Sequence, residues 1–179
     1  MAMLSDKTSE AIDILVGQFF RLNRFCDRRV SILQNVFSMP QAAKILHNNH
    51  CHLYPLIADL CSEFKDQYNI PTYYPETPGD GRTYTNLSDM METYLNEVED
   101  TYKMIKMVYQ VSKDNEDFNA CAFLMRLMRI FSIIIGQVYT LRDKAVQMPT
   151  DFDSYDAHIE EWGIDGIDLT NPHIVENDD

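Results

Sequence analysis

Residues 47–64 read HNNHCHLYPLIADLCSEF. His47, His50 and His52 fall close together, and Asp59 and Glu63 follow one helical turn apart. On an ideal helix each residue turns about 100°, so Asp59 and Glu63 lie within about 20° of His52 around the axis. One imidazole and two carboxylates on one flank suit a divalent cation. Carboxylate oxygens prefer hard or borderline ions such as Fe²⁺, Mn²⁺ or Mg²⁺, and an imidazole moves the preference toward iron or zinc. Such a set leaves coordination positions open for water or oxygen. His52, Asp59 and Glu63 are therefore the candidate metal ligands. His50 falls on the far shoulder of the apolar stripe and His47 points further outward, so one helix cannot aim all three histidines at one site. The competing reading makes these residues the solvated flank of a core helix.

The elements that must position them are helical. A first helix is predicted over about 8–37, with Ile12, Val16, Phe19, Cys26, Val30, Leu33 and Phe37 at three- and four-residue steps and Asn23 interrupting the stripe. SMPQ (38–41) supplies a Ser cap and a first-turn proline for a second helix to about 68. Its inward stripe is Ala42, Leu46, Asn49, Leu53, Ile57, Leu60 and Phe64, and Pro55 should bend it. Residues 68–86 hold three prolines, two glycines and four tyrosines and read as a long ordered crossover. A third helix follows over about 87–113, with Leu87, Met91, Tyr94, Val98, Ile105 and Val108 inward, and KDNED (113–117) breaks it. The fourth, about 117–146, is apolar over more than one face, which predicts burial by the bundle and by a second subunit. Gly136 inside it costs roughly 1 kcal/mol relative to Ala and points to a close helix approach. The expected fold is all-α: a ferritin-like four-helix bundle over residues 1–147 with a long crossover between helices 2 and 3. Residues 148–179 form an acidic C-terminal tail, either solvated or docked in part through Trp162 and Ile164.

The net charge of −13 is unevenly placed: from position 145 onward there are ten acids and no Lys or Arg. Lys7 is the one basic residue before Arg21, so nucleic acid is not an expected partner. The uncharged run IFSIIIGQVYTL (130–141) is shorter than the ~20 residues a membrane span needs. MAMLSDKTSE lacks the layout of a secretory leader, and a cytoplasmic location is expected. Cys26, Cys51, Cys61 and Cys121 form no C-x-x-C pair and are expected as buried reduced thiols.

Four helices of this length and order, the crossover, and the D-x-x-x-E of DLCSE (59–63) resemble the Dps-type miniferritins over residues 8–146. The resemblance implies that Asp59 and Glu63 meet histidines of a neighbouring subunit, and that the shared site binds and oxidises ferrous iron. It implies a homo-oligomer, a dimer or a larger shell, that stores the Fe³⁺ product. Residues 24–37 lack the histidine and tryptophan that the family carries on its first helix, and no histidine here has a Glu three residues before it. Iron binding, with possible ferroxidase activity, is the expectation adopted. The alternative is an inert helical-bundle dimer acting as an interaction or scaffold protein, its acidic tail docking a protein partner.

Overall fold

The computed structural model describes residues 3–171. Among the described residues every regular element is helical. In chain order these are α1 (Asp6–Asn35), α2 (Pro40–Leu46), a π-helical turn (His47–Cys51), α3 (Leu53–Asp66), α4 (Leu87–Asp114), α5 (Phe118–Gln147), α6 (Phe152–His158) and a 3₁₀ turn (Ile159–Trp162). Residues 172–179 of the expected tail lie outside the described residues.

The long helices begin where polar side chains satisfy their free N–H groups. Ser5 Oγ accepts from Thr8 N at 3.2 Å, and Asn86 Oδ1 accepts from Asp89 N at 2.8 Å. The inward stripes bury as their spacing predicts: Ile12, Val16, Phe19, Cys26 and Leu33 of α1 meet Leu53, Ile57 and Phe64 of α3, Met91, Tyr94 and Val98 of α4, and Leu124, Phe131 and Val138 of α5 in one core. Ring pairs tie it together, Phe19 with Phe131 at 5.6 Å and Phe64 with Phe123 at 4.6 Å. By composition alone α5 is long and apolar enough to cross a membrane, but its inward residues are part of this core.

Cross-helix pairs give the helix directions. Cys26 meets Cys51, and Asp13 meets Lys65, so α1 and α3 are antiparallel. Glu92 faces Arg142, so α4 and α5 are antiparallel as well. Tyr54 near the start of α3 bonds Tyr94 near the start of α4, which makes these two helices parallel. A parallel pair requires the chain to return along the bundle, and residues 67–86 do so. Asp13 Oδ1 holds this crossover by accepting from Tyr73 N at 3.2 Å while it pairs with the buried Lys65 ammonium at 2.6 Å. Pro75 lies directly on α1 at Gly17, where a Cβ would stand 2.9 Å from Pro75 Cγ.

Three expectations need correction. Ser38 does not cap the second helix, because its backbone is left-handed at φ 56°. The cap comes from the far end of the chain: Asp156 Oδ1 accepts from Ala42 N at 2.7 Å and sets a carboxylate at the N-terminus of α2. Among the described residues nothing packs against Gly136, since no neighbouring atom lies within 4 Å of a Cβ built there. Cys26 and Cys51 are not reduced thiols but a disulfide with Cα atoms 5.4 Å apart, while Cys61 and Cys121 are free and buried. After α5 the described chain packs back on the bundle. Phe152 stacks on Phe37 at 4.3 Å, Tyr155 donates its buried hydroxyl to Leu141 O at 2.9 Å, and Ile159 and Ile164 are buried.

The two helical glycines should respond oppositely to alanine. Gly136→Ala is expected to stabilise by roughly 0.5–1 kcal/mol, the ordinary helix gain. Gly17→Ala is expected to destabilise by about 1–3 kcal/mol despite the same gain, because the proline ring cannot yield. Urea denaturation of both variants checks this, and a stabilised Gly17→Ala would contradict the packing of the crossover.

Candidate metal centre

The histidine-rich segment is not an ideal helix. Pro55 has no N–H to offer the Cys51 carbonyl four residues before it, and its ring crowds that turn. The helix widens there: His52 N donates to His47 O at 3.3 Å, a bond across five residues. Asn23, which interrupts the α1 stripe, donates its amide to the Cys51 carbonyl at 2.8 Å. The widened turn changes which side chains share a face. At 100° per residue His47 and His52 would stand roughly 140° apart. Here their ring centroids are 4.4 Å apart and their Nε2 atoms 3.0 Å apart.

Across from this pair lies Asp27 of α1. The ligand atoms of Asp27, His47 and Cys51 all fall within 4.8 Å of one another, the one such His/Cys/Asp/Glu group among the described residues. Asp27 and His47 are exposed and Cys51 is buried. Both exposed residues open onto a groove of ≈ 440 Å³ between α1 and α2, which Ser31, Pro40 and Lys44 also line. One imidazole nitrogen and one carboxylate oxygen at this open edge, with the His52 imidazole against His47, are donor types that a borderline divalent ion accepts.

Of the residues singled out in the sequence, His52 stands against His47 but lies outside the Asp27–His47–Cys51 group. Asp59 and Glu63 do not join it: both are exposed on α3, outside the converging group. Asp27 was missed because it sits beside the core stripe of α1 and carries no motif. Its proximity to Cys26, which faces Cys51 across the helical hairpin, was the available signal.

His50 is fully buried and turned into the bundle. Its Nδ1 lies 2.8 Å from Tyr94 Oη and its Nε2 2.7 Å from Gln137 Oε1. An amide oxygen only accepts, so Nε2 carries the proton in this network and Nδ1 accepts from Tyr94. Tyr94 in turn accepts from Tyr54 at 2.6 Å. Burial pushes the His50 pKa below its ordinary 6.5, against the Gln137 hydrogen bond, and raises both phenols. With both nitrogens engaged, His50 is not a free ligand. Beside it, the fully buried Arg29 guanidinium lies on the Tyr94 ring at 4.4 Å and pairs with Glu97. Among the described residues its Nε and Nη1 find no hydrogen-bond partner. The second Glu97 oxygen accepts from Arg82 at 2.7 Å, and Arg82 is braced by Asp80 at 2.8 Å. A dinuclear bundle centre draws on carboxylates from several helices. Here Glu97 is committed to two guanidiniums, so this interior does not fit such a centre.

No protein-family model matches the chain, and no curated protein matches it in sequence.

Two outcomes follow for the interior. Glu97→Leu strands the buried Arg29 charge and should cost about 3–5 kcal/mol, whereas Arg29→Met combined with Glu97→Leu should cost less than that single change. Strictly additive losses in urea denaturation would contradict the pairing. For His50, the unfolded chain takes up a proton as pH falls through 6.5 while the folded chain resists it. Stability of the metal-free protein is therefore full above pH 6.5 and declines below it. His50→Gln should flatten that decline, as read from unfolding midpoints on either side of the ordinary histidine pKa.

Proposed function

We propose that this protein binds a divalent transition metal, ferrous iron first among the candidates, at the outer edge of a ferritin-like bundle and not at its centre. Two antiparallel helix pairs joined by a long crossover support the ferritin-like reading of the fold. The observation that carries the metal reading is the His47–His52 pair. Imidazole nitrogens bound to one ion at about 2.0–2.1 Å stand roughly 3.0–3.4 Å apart, depending on whether the angle is octahedral or tetrahedral. The two Nε2 atoms are 3.0 Å apart, with the Asp27 carboxylate beside His47. The histidine pair supplies two nitrogens, and Asp27, which reaches His47 but stands apart from His52, adds a carboxylate by rotating toward them, a set suited to Fe²⁺ with positions left open. The groove gives the ion and water access to Asp27 and His47.

Anaerobic Fe²⁺ titration by equilibrium dialysis, with Co²⁺ as a spectroscopic probe, tests the reading. The native chain should hold one ion per edge site. Asp27→Ala with His47→Ala should weaken binding roughly 100-fold or more, while Asp59→Ala with Glu63→Ala should leave it unchanged. Loss of binding in the Asp59/Glu63 variant alone would transfer the site to the inter-subunit arrangement implied by the miniferritin resemblance. No retained metal in the native chain would favour the scaffold reading, to which the closed interior around Arg29 lends weight.

A further inference from the structure

We propose that reduction of the Cys26–Cys51 disulfide converts the edge site into a closed zinc site with four protein donors, Cys26 and Asp27 from α1 and His47 and Cys51 from the π turn. The inference rests on the metal-binding reading above and adds its redox regulation and a second metal.

Three of the four donors already converge, and the fourth is bonded to one of them. Asp27, His47 and Cys51 place their ligand atoms within 4.8 Å of one another, and Cys26 Sγ is bonded to Cys51 Sγ. Two come from adjacent positions on α1 and two from opposite ends of the π turn. At Zn–S distances of about 2.3 Å and Zn–N distances of about 2.0–2.1 Å, tetrahedral donors stand roughly 3.3–3.8 Å apart. For Asp27, His47 and Cys51, closing on the ion therefore asks for shifts of about 1 Å, and Cys26 Sγ, outside that group, must rotate further once freed from Cys51. The sulfurs sit on the buried side of the cluster and Asp27 and His47 on the exposed side, so an ion arriving through the groove meets oxygen and nitrogen first and sulfur behind them.

In the disulfide neither sulfur is a useful ligand, because a thiolate is the metal-binding form of cysteine. A dithiol reductant changes this. One of its thiolates attacks a protein sulfur, its second thiol resolves the mixed disulfide, and the protein S–S bond is exchanged for an S–S bond in the reductant. The two electrons come from the dithiol, and its two protons end on Cys26 and Cys51. Binding Zn²⁺ then forms two Zn–S bonds and releases those two protons to solvent. Oxidised, the edge offers a nitrogen–oxygen set with open positions, suited to iron. Reduced, it offers two thiolates, an imidazole and a carboxylate, a filled tetrahedral set suited to zinc.

The test uses the full chain in two states, oxidised as the disulfide and reduced with dithiothreitol followed by anaerobic desalting. Counting thiols in denaturant should give two in the first state and four in the second. With Co²⁺ as probe, the reduced chain should gain a sulfur-to-cobalt charge-transfer band in the near ultraviolet that the oxidised chain lacks. In chelator competition it should hold Zn²⁺ roughly 100-fold or more tighter. Cys51→Ser should abolish both differences, and Cys61→Ser should preserve them, which assigns the band to the paired sulfurs. A reduced chain with four titratable thiols, no such band and unchanged zinc affinity overturns the proposal. In that case oxidised-state binding through Asp27 and His47 still stands. Conversely, the band in the reduced chain beside no metal in the oxidised chain supports the thiolate site and removes the iron reading alone.

Discussion

One missing N–H shapes the edge of this molecule. Pro55 cannot donate to the Cys51 carbonyl, and the turn before it opens by a residue. That extra residue brings His47 over His52, turns His50 inward to Tyr94 and Gln137, and aims Cys51 at Cys26. The Asn23 amide stabilises the arrangement by satisfying the freed carbonyl. A regular helix with the same sequence would scatter the three histidines around the axis. Restoring a donor at position 55 would thus act on the site without touching any ligand.

The interior solves a different problem. Arg29 is a permanent cation with no solvent exposure, and desolvating a guanidinium is costly unless a carboxylate faces it. Glu97 supplies that charge, and the Tyr94 ring offers its negative face on another side. Arg82 from the crossover completes the group, so one carboxylate links α1, α4 and the crossover. With Asp80 pairing Arg82, two carboxylates balance two guanidiniums, so the group is closed on itself and leaves Glu97 no free oxygen.

Much of this architecture is legible in the sequence. The inward stripes locate the long helices to within a few residues, and the Pro- and Tyr-rich stretch after α3 marks the crossover. Pairing across the first hairpin is legible too. Asp13 and Lys65 are equally far from Met39, and Cys26 precedes Ser38 by as many residues as Cys51 follows Met39. Antiparallel helices turning at SMP place both pairs opposite each other. What period counting does not reveal is a change in the period itself: a constant 100° sets His47 about 140° from His52, and the π turn over His47–Cys51 brings their rings together. Nor does it reveal that Arg29 turns inward, since arginine in a helix usually reads as surface. The Asp156 cap was hidden for another reason. It joins residues far apart in sequence, and the acids after α5 read as one charge run until their partners are seen.

The disulfide is where the two halves of the structure meet. It lies on the boundary between the apolar core, to which both cysteines contribute, and the exposed cluster that Asp27 and His47 begin. Intact, it is a cross-link between α1 and the π turn, and it holds Asp27 of the one near His47 of the other. Opened, as proposed above, the same two atoms become thiols able to ligate, and the covalent link between α1 and the π turn is lost. The Asp13–Lys65 pair and the Arg29–Glu97 pair hold α1 against α3 and α4 in either state, since neither involves a sulfur. Opening the disulfide therefore removes one cross-link and leaves these two inter-helix pairs in place.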